Sequence, residues 1–198
     1  MVKGYFIKYN FVLPDNVSHS SYTYQKLFRA IYGYTQNVTK SNGKVYKYHR
    51  KGVLSDIPFI KAGKNAVIIP EKSFNSLDVF FKTGKNPSHV WRVKGDWKAT
   101  FYMDEKEVSD LDAINAIKKH ISRIFIKDEN AFLPNPKKIL EKKANKEPIS
   151  DEVLFSVINE AQKITNNEWF KVLYQIDEEL KDFYNDLKSL KSIQKPVM

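Results

Sequence analysis

The sequence predicts an α+β protein, an antiparallel sheet followed by a helical C-terminal region, and three observations carry that expectation. The first residues alternate strictly, with Tyr5, Ile7, Tyr9 and Phe11 on one face and Gly4, Phe6, Lys8 and Asn10 on the other, which is the period of a strand. Turn signals then punctuate short β-prone runs at Asn42-Gly43, Gly63-Lys64-Asn65 and Gly95-Asp96. All seven glycines lie at or before Gly95, whereas apolar residues beyond position 109 recur at helical spacing.

Each element follows in order. Pro14-Asp15 ends the first strand, and Ser18, Ser20 and Ser21 supply N-cap candidates for a helix whose stripe is Tyr24, Leu27, Phe28 and Ile31. Gly33 stops that helix in the C′ position. Runs 35–41 and 44–50 flank Asn42-Gly43, which predicts a hairpin with a two-residue type I′ turn. A second hairpin is expected from 57–61 and 66–69. Pro70 suits a first helical turn, and Phe74, Leu77 and Phe81 give the next helix its core face until Gly84. A third hairpin is expected from 90–94 and 97–103. Ser109 with Asp112 begins a helix buried through Ile114, Ile117, Ile121 and Ile124. Setting one hairpin aside leaves the order β-α-β-β-α-β, the split β-α-β arrangement of ferredoxin-like sheets, in which both helices cover one face.

The sequence divides at two further places. Residues 1–127 form the expected basic α+β domain, 128–150 a Lys- and Pro-containing linker with some helix, and 151–198 a helical region. Ser150 caps a helix carrying Val153, Leu154, Val157, Ile158 and Ala161. After Asn166-Asn167, the residues Trp169, Leu173, Ile176, Leu180, Phe183, Leu187 and Leu190 are spaced 4, 3, 4, 3, 4, 3, an a/d pattern over three heptads. That seam serves either an intramolecular helical hairpin, for which other helices are available, or a coiled-coil homodimer or protein partner.

Composition excludes several chemistries. With 42% apolar and 28% charged residues over 198 positions, the chain has the make-up of an ordinary globular protein. It contains no cysteine, which removes disulfides, thiol nucleophiles, iron–sulfur clusters and Cys-containing zinc sites. Four scattered histidines, His19, His49, His89 and His120, form no H-x-x-x-H pair, so no metal is expected. No apolar run reaches the ~18 residues of a membrane span. The N-terminus reads as a strand rather than a signal peptide, so a cytoplasmic protein without membrane contact is expected. No phosphate-binding glycine loop, dinucleotide fingerprint or nucleophile elbow is present, and no cofactor is expected.

Charge points to a partner. Residues 1–103 hold 17 Lys/Arg and 5 Asp/Glu, net +12, and 104–198 hold 16 and 18, net −2, within a total of +10. A Lys-rich genome would colour both halves alike, so the asymmetry favours an anionic ligand for the first. Between Asp15 and Asp56 there is no acid, but there are seven basic residues and six tyrosines. Its centre is the segment 44–51, KVYKYHRK. Cations neutralise phosphates, and rings beside them stack on unpaired bases at about 1–3 kcal/mol each. On a strand, Tyr46, Tyr48 and Arg50 share one face and Val45, Lys47 and His49 the other. A second basic window, 80–95, adds Arg92 and Lys94 and lies opposite Lys98, with Trp91 and Trp97 at its flanks.

The resulting expectation is non-catalytic binding of RNA or single-stranded DNA. Lys40, Lys44, Lys47, Arg50 and Lys51 would contact phosphates, joined by Arg92, Lys94 and Lys98, with Tyr46 and Tyr48 stacking and His49 beside them. The alternative on the same ligand is a nuclease. His49 is its one candidate for metal-free proton transfer to and from a 2′-hydroxyl. Asp96-Trp97-Lys98 is a D-x-K that would need Asp78 or Asp15 as a second metal ligand, but Asp96 on a turn has an ordinary conformational role there. Tyr32-Gly33-Tyr34 shares only its aromatic-Gly-aromatic centre with the RNA-recognition motif and supports no family assignment.

Overall fold

The structure is a computed structural model that describes residues 1–18, 20–87, 91–125 and 133–193, without the side chains of Lys47 and His49. His19, His89, the beginning of the expected third hairpin at Val90 and the beginning of the expected linker at 128 lie outside the described residues. The chain divides into two units, 3–108 and 109–198. Residues 1–108 hold 18 Lys/Arg and 8 Asp/Glu, net +10, and 109–198 hold 15 of each.

In the first unit the alternating N-terminal run is strand β1 (Val2–Val12), and its Ile7, Tyr9 and Phe11 are buried. Helix α1 (Tyr22–Tyr32) is capped by Ser21, whose Oγ accepts the Tyr24 N–H at 3.3 Å. Its buried stripe is Leu27, Ala30 and Ile31, and it ends where the Gly33 N–H reaches the Arg29 carbonyl. Strands β2 (Tyr34–Thr39) and β3 (Val45–Arg50) form a separate two-stranded antiparallel ribbon. A 3₁₀ turn (Val53–Asp56) leads to β4 (Ile60–Gly63) and β5 (Ala66–Pro70). Then come helix α2 (Phe74–Thr83), stopped by left-handed Gly84, and strand β6 (Lys98–Val108).

The other four strands form one sheet in the order β4-β5-β1-β6. In the antiparallel β1–β5 pair, Tyr5 faces Ile69 and Ile7 faces Val67. One core collects Ile7, Tyr9 and Phe11 with Leu27 and Ile31 of α1, Leu54, Ile69, and Leu77, Phe80 and Phe81 of α2. Both helices thus cover one face of the sheet, while Lys8 on the other face is exposed.

Two turn expectations are corrected. In the β2–β3 ribbon the Lys40 N–H bonds to the Lys44 carbonyl and the Gly43 N–H to the Lys40 carbonyl, leaving three residues in the loop. Only Gly43 there has positive φ, so the loop is a type I turn closed by a left-handed glycine rather than type I′. The described part of the expected third hairpin does not pair with β6. Residues 91–93 instead lie back along 84–86, with Lys85 bridging Arg92 and the Val93 N–H bonded to the Gly84 carbonyl at 2.9 Å. Trp97 is thereby placed against Phe11 and Phe80 in the core.

The second unit is helical: α3 (Asp110–Ile124), α4 (Pro136–Ala144), α5 (Asp151–Thr165), α6 (Glu168–Leu173) and α7 (Glu178–Ile193). The boundary between the units falls at 108/109, and α3 packs with α5 and α6. The heptad run is not one helix. Asp177 Oδ1 accepts the Leu180 N–H at 3.1 Å and begins α7 afresh, so the chain leaves the helical path between 174 and 177. Asp177 also pairs with Lys118 Nζ of α3 at 2.9 Å. Burial pushes the Asp177 carboxyl up, but the Lys118 ammonium and the Leu180 N–H outweigh it and hold it below its ordinary value. Trp169, Leu173, Leu180, Phe183, Leu187 and Leu190 are buried within the chain, and Ile176, in the break, is 63% exposed. Six of the seven seam residues are therefore spent on the chain's own core.

Candidate nucleic-acid interface

The site begins at a crossing of two glycines. Gly33 has φ +74° and Gly52 passes directly beneath it, so a Cβ on Gly52 would stand 2.2 Å from the Gly33 nitrogen and 2.5 Å from the Ile31 carbonyl oxygen. The Gly52 N–H donates to Ser55 Oγ at 2.8 Å, which ties this crossing to the 3₁₀ turn. Such an approach needs hydrogen in place of a side chain. Its effect is to root the β2–β3 ribbon at the C-terminal end of α1, with the pair Tyr34 and Arg50 as the ribbon's first rung.

Register then decides what each ribbon face carries. Directly opposed residues share a face, so Tyr34 with Arg50, Gln36 with Tyr48 and Val38 with Tyr46 form one side. Tyr46 and Tyr48 are 37% and 43% exposed. Lys40 Nζ lies 4.5 Å from the centre of the Tyr46 ring. Lys40 and Lys44 are exposed at the loop end.

Beside the root lies a cleft of about 530 Å³. Its cations come from three parts of the chain: Lys26 and Arg29 from α1, Arg50 and Lys51 from the end of β3, and Arg92 and Lys94 from the segment that folds back along 84–86. Its rings are Tyr22, Tyr34 and Trp91, and Ala30 and Val93 supply apolar floor. Among the described residues no carboxylate lines it. Asp56, close by, is paired with Lys51 at 3.1 Å. Arg29 is positioned by rings, its guanidinium carbon 5.1 Å from the Tyr34 centroid and 5.9 Å from that of Tyr22. A guanidinium held by stacking keeps its N–H donors for a ligand. Trp91, half-buried, meets Phe80 edge-on at 6.4 Å. On the far side of the 92–94 segment a second cavity, of about 340 Å³, is also lined by Arg92 and Lys94, together with Lys82.

Of the residues the sequence singled out, the cleft gathers Arg50, Lys51, Arg92 and Lys94. Lys40, Lys44, Tyr46 and Tyr48 occupy the outer ribbon, and Lys98 starts β6 outside the cleft lining. The side chains of Lys47 and His49 lie outside the described residues. Sequence reasoning did not choose Tyr22, Lys26, Arg29, Tyr34 or Trp91 as site residues. The acid-free run from 16 to 55 contained four of them, and the glycine crossing sets the end of β3 against the C-terminus of α1.

The other candidates sit apart from this arrangement. Asp78 is engaged by Lys82 at 2.7 Å, and Asp96 is exposed in the loop before β6. No group of three or more His, Asp or Glu among the described residues could hold a metal ion. Tyr9 and Tyr32 share a hydrogen bond of 2.9 Å near the core, and burial raises both phenols above their ordinary value, so they are neutral structural partners. Among the described residues, no helix is long and apolar enough to cross a membrane. No family model, curated protein or solved structure matches the chain.

Proposed function

We propose that the 3–108 unit binds single-stranded nucleic acid without cleaving it, using the cleft and the tyrosine face of the ribbon as one surface. The observation that carries this reading is the convergence of six cations and three aromatic rings in a single cleft that, among the described residues, no carboxylate lines. Phosphates supply the countercharge such a surface needs, and unpaired bases supply partners for rings that a duplex would not. We also read the sheet as ferredoxin-like with an inserted ribbon. The order β4-β5-β1-β6 with α1 and α2 on one face supports it. The insertion is then the functional part, since it alone brings Tyr34 and Arg50 to α1.

The test uses the full chain and labelled single-stranded RNA, single-stranded DNA and duplex of equal length, at low and physiological salt, with the products examined for cleavage. Salt-sensitive binding that prefers single strands, with intact products, is the expected result. Absence of binding to any of them at low salt would overturn the reading, and cleavage would overturn its non-catalytic part.

A further inference from the structure

The cleft and the ribbon face are one surface but two kinds of site. The ribbon is an exposed two-stranded ladder, whereas the cleft is concave and, at about 530 Å³, falls in the range of small-molecule pockets of roughly 300–1,000 Å³. A phosphate alone needs no such volume and no rings. A base alone needs no cations. Here both are present across one cavity: Tyr34 and Trp91 as rings, and Arg29, Arg50 and Arg92 as forked donors. None of these three arginines is drawn off by a carboxylate among the described residues, and Arg29 is oriented by its stacking over Tyr34.

We infer that the cleft seats a single unpaired nucleotide, its base against Trp91 and Tyr34 and its phosphate on Arg29, Arg50 and Arg92. This rests on the nucleic-acid reading above. The rest of the strand leaves along the ribbon. Tyr34 and Arg50 are both the cleft wall and the first rung of the ladder, and the next rungs on the same face carry Tyr48 and then Tyr46. Rungs two residues apart are separated by about 6.8 Å, close to the spacing of successive bases in an extended single strand. The seat is thus where a polynucleotide begins on this surface, and it is the contact in which rings and three arginines together hold both the base and the phosphate of one nucleotide.

The experiment titrates the full chain with adenosine and uridine 5′-monophosphates, the corresponding nucleosides and inorganic phosphate, alongside a labelled twelve-nucleotide RNA. The mononucleotides are expected to bind with 1:1 stoichiometry and more tightly than either nucleoside or phosphate. Arg29→Met, which keeps the stem and removes the fork, and Arg92→Ala at an exposed position are each expected to weaken mononucleotide binding at least about fivefold, the effect of losing a charge-assisted hydrogen bond. Lys40→Ala with Lys44→Ala, at the far end of the ribbon, is expected to weaken the RNA and leave the mononucleotide within twofold. If the RNA binds but the mononucleotides do not, or bind no better than phosphate, the seat is overturned and the broader reading stands. If the RNA does not bind at low salt, both fall.

Discussion

Replacing Lys26 and Lys94 by glutamine removes two charges that different segments bring to the cleft while keeping two long polar side chains at exposed positions. The consequence is set by counterion release. Seven cations that line the cleft or close the ribbon loop, Lys26, Arg29, Lys40, Lys44, Arg50, Arg92 and Lys94, have no carboxylate partner among the described residues, whereas Lys51 is paired with Asp56. At one phosphate for each of the four lysines and one shared by the three arginines, five in all, and a slope of about −0.7 per phosphate for a single strand, log K against log[salt] should fall with a slope near −3.5. Between 50 and 200 mM salt that is roughly a 130-fold loss of affinity, and for the double variant, at a slope near −2.1, roughly 20-fold. Fluorescence anisotropy of a labelled RNA twelve-mer at three or four salt concentrations reads both slopes. The control is Lys142→Gln with Lys143→Gln on α4, exposed cations of the helical unit, which should leave the slope alone. The reasoning is refuted if the cleft variant keeps the wild-type slope, or if the control flattens it as much.

Two predictions concern the scaffold. Gly52→Ala places a methyl 2.2 Å from the Gly33 nitrogen, against backbone that cannot swing away, so a loss of about 1–3 kcal/mol is expected together with weaker RNA binding. Thermal unfolding measures it, and an unchanged midpoint would mean the crossing does not hold the ribbon. Leu180→Ala should cost about 2–5 kcal/mol, since Leu180 is fully buried, while Ile176→Ala should stay within about 0.5 kcal/mol because Ile176 is exposed in the break before α7. Chemical denaturation separates the two. Similar costs at both positions would contradict the assignment of this seam to the chain's own core.

Four of the nine cations and rings that line the candidate cleft are residues the sequence singles out. Arg50, Lys51, Arg92 and Lys94 stood out because they lie in long stretches without acids, a property of composition that survives folding. Arg29 and Tyr34 lie in the same stretch as Arg50, but on a helix and at a strand start that no local pattern juxtaposes with Trp91. The turn at Asn42-Gly43 was rightly placed and wrongly typed, because a glycine that permits positive φ serves both a two-residue I′ turn and a three-residue loop. The heptad spacing was present, but Asp177-Glu178-Glu179 ahead of Leu180 is also an N-cap with an acidic first turn. That signal splits the helix.

What the sequence determined by itself is local: strand β1 by alternation, the helix starts by Ser21, Ser109 and Ser150, the helix ends by Gly33 and Gly84, and a basic half and a balanced half by composition. These depend on neighbours a few residues away, where period, capping and φ preference are strong. Tertiary structure alone decided that 91–93 turns back along 84–86 instead of pairing with β6, and that α3 joins the helices that follow it. It also decided that α1, the ribbon root and Arg92 meet around one cleft. Those outcomes depend on which surfaces bury each other best across long stretches of chain. The contact that decides the cleft, Gly52 against Gly33, is made by two residues with no side chain to announce it.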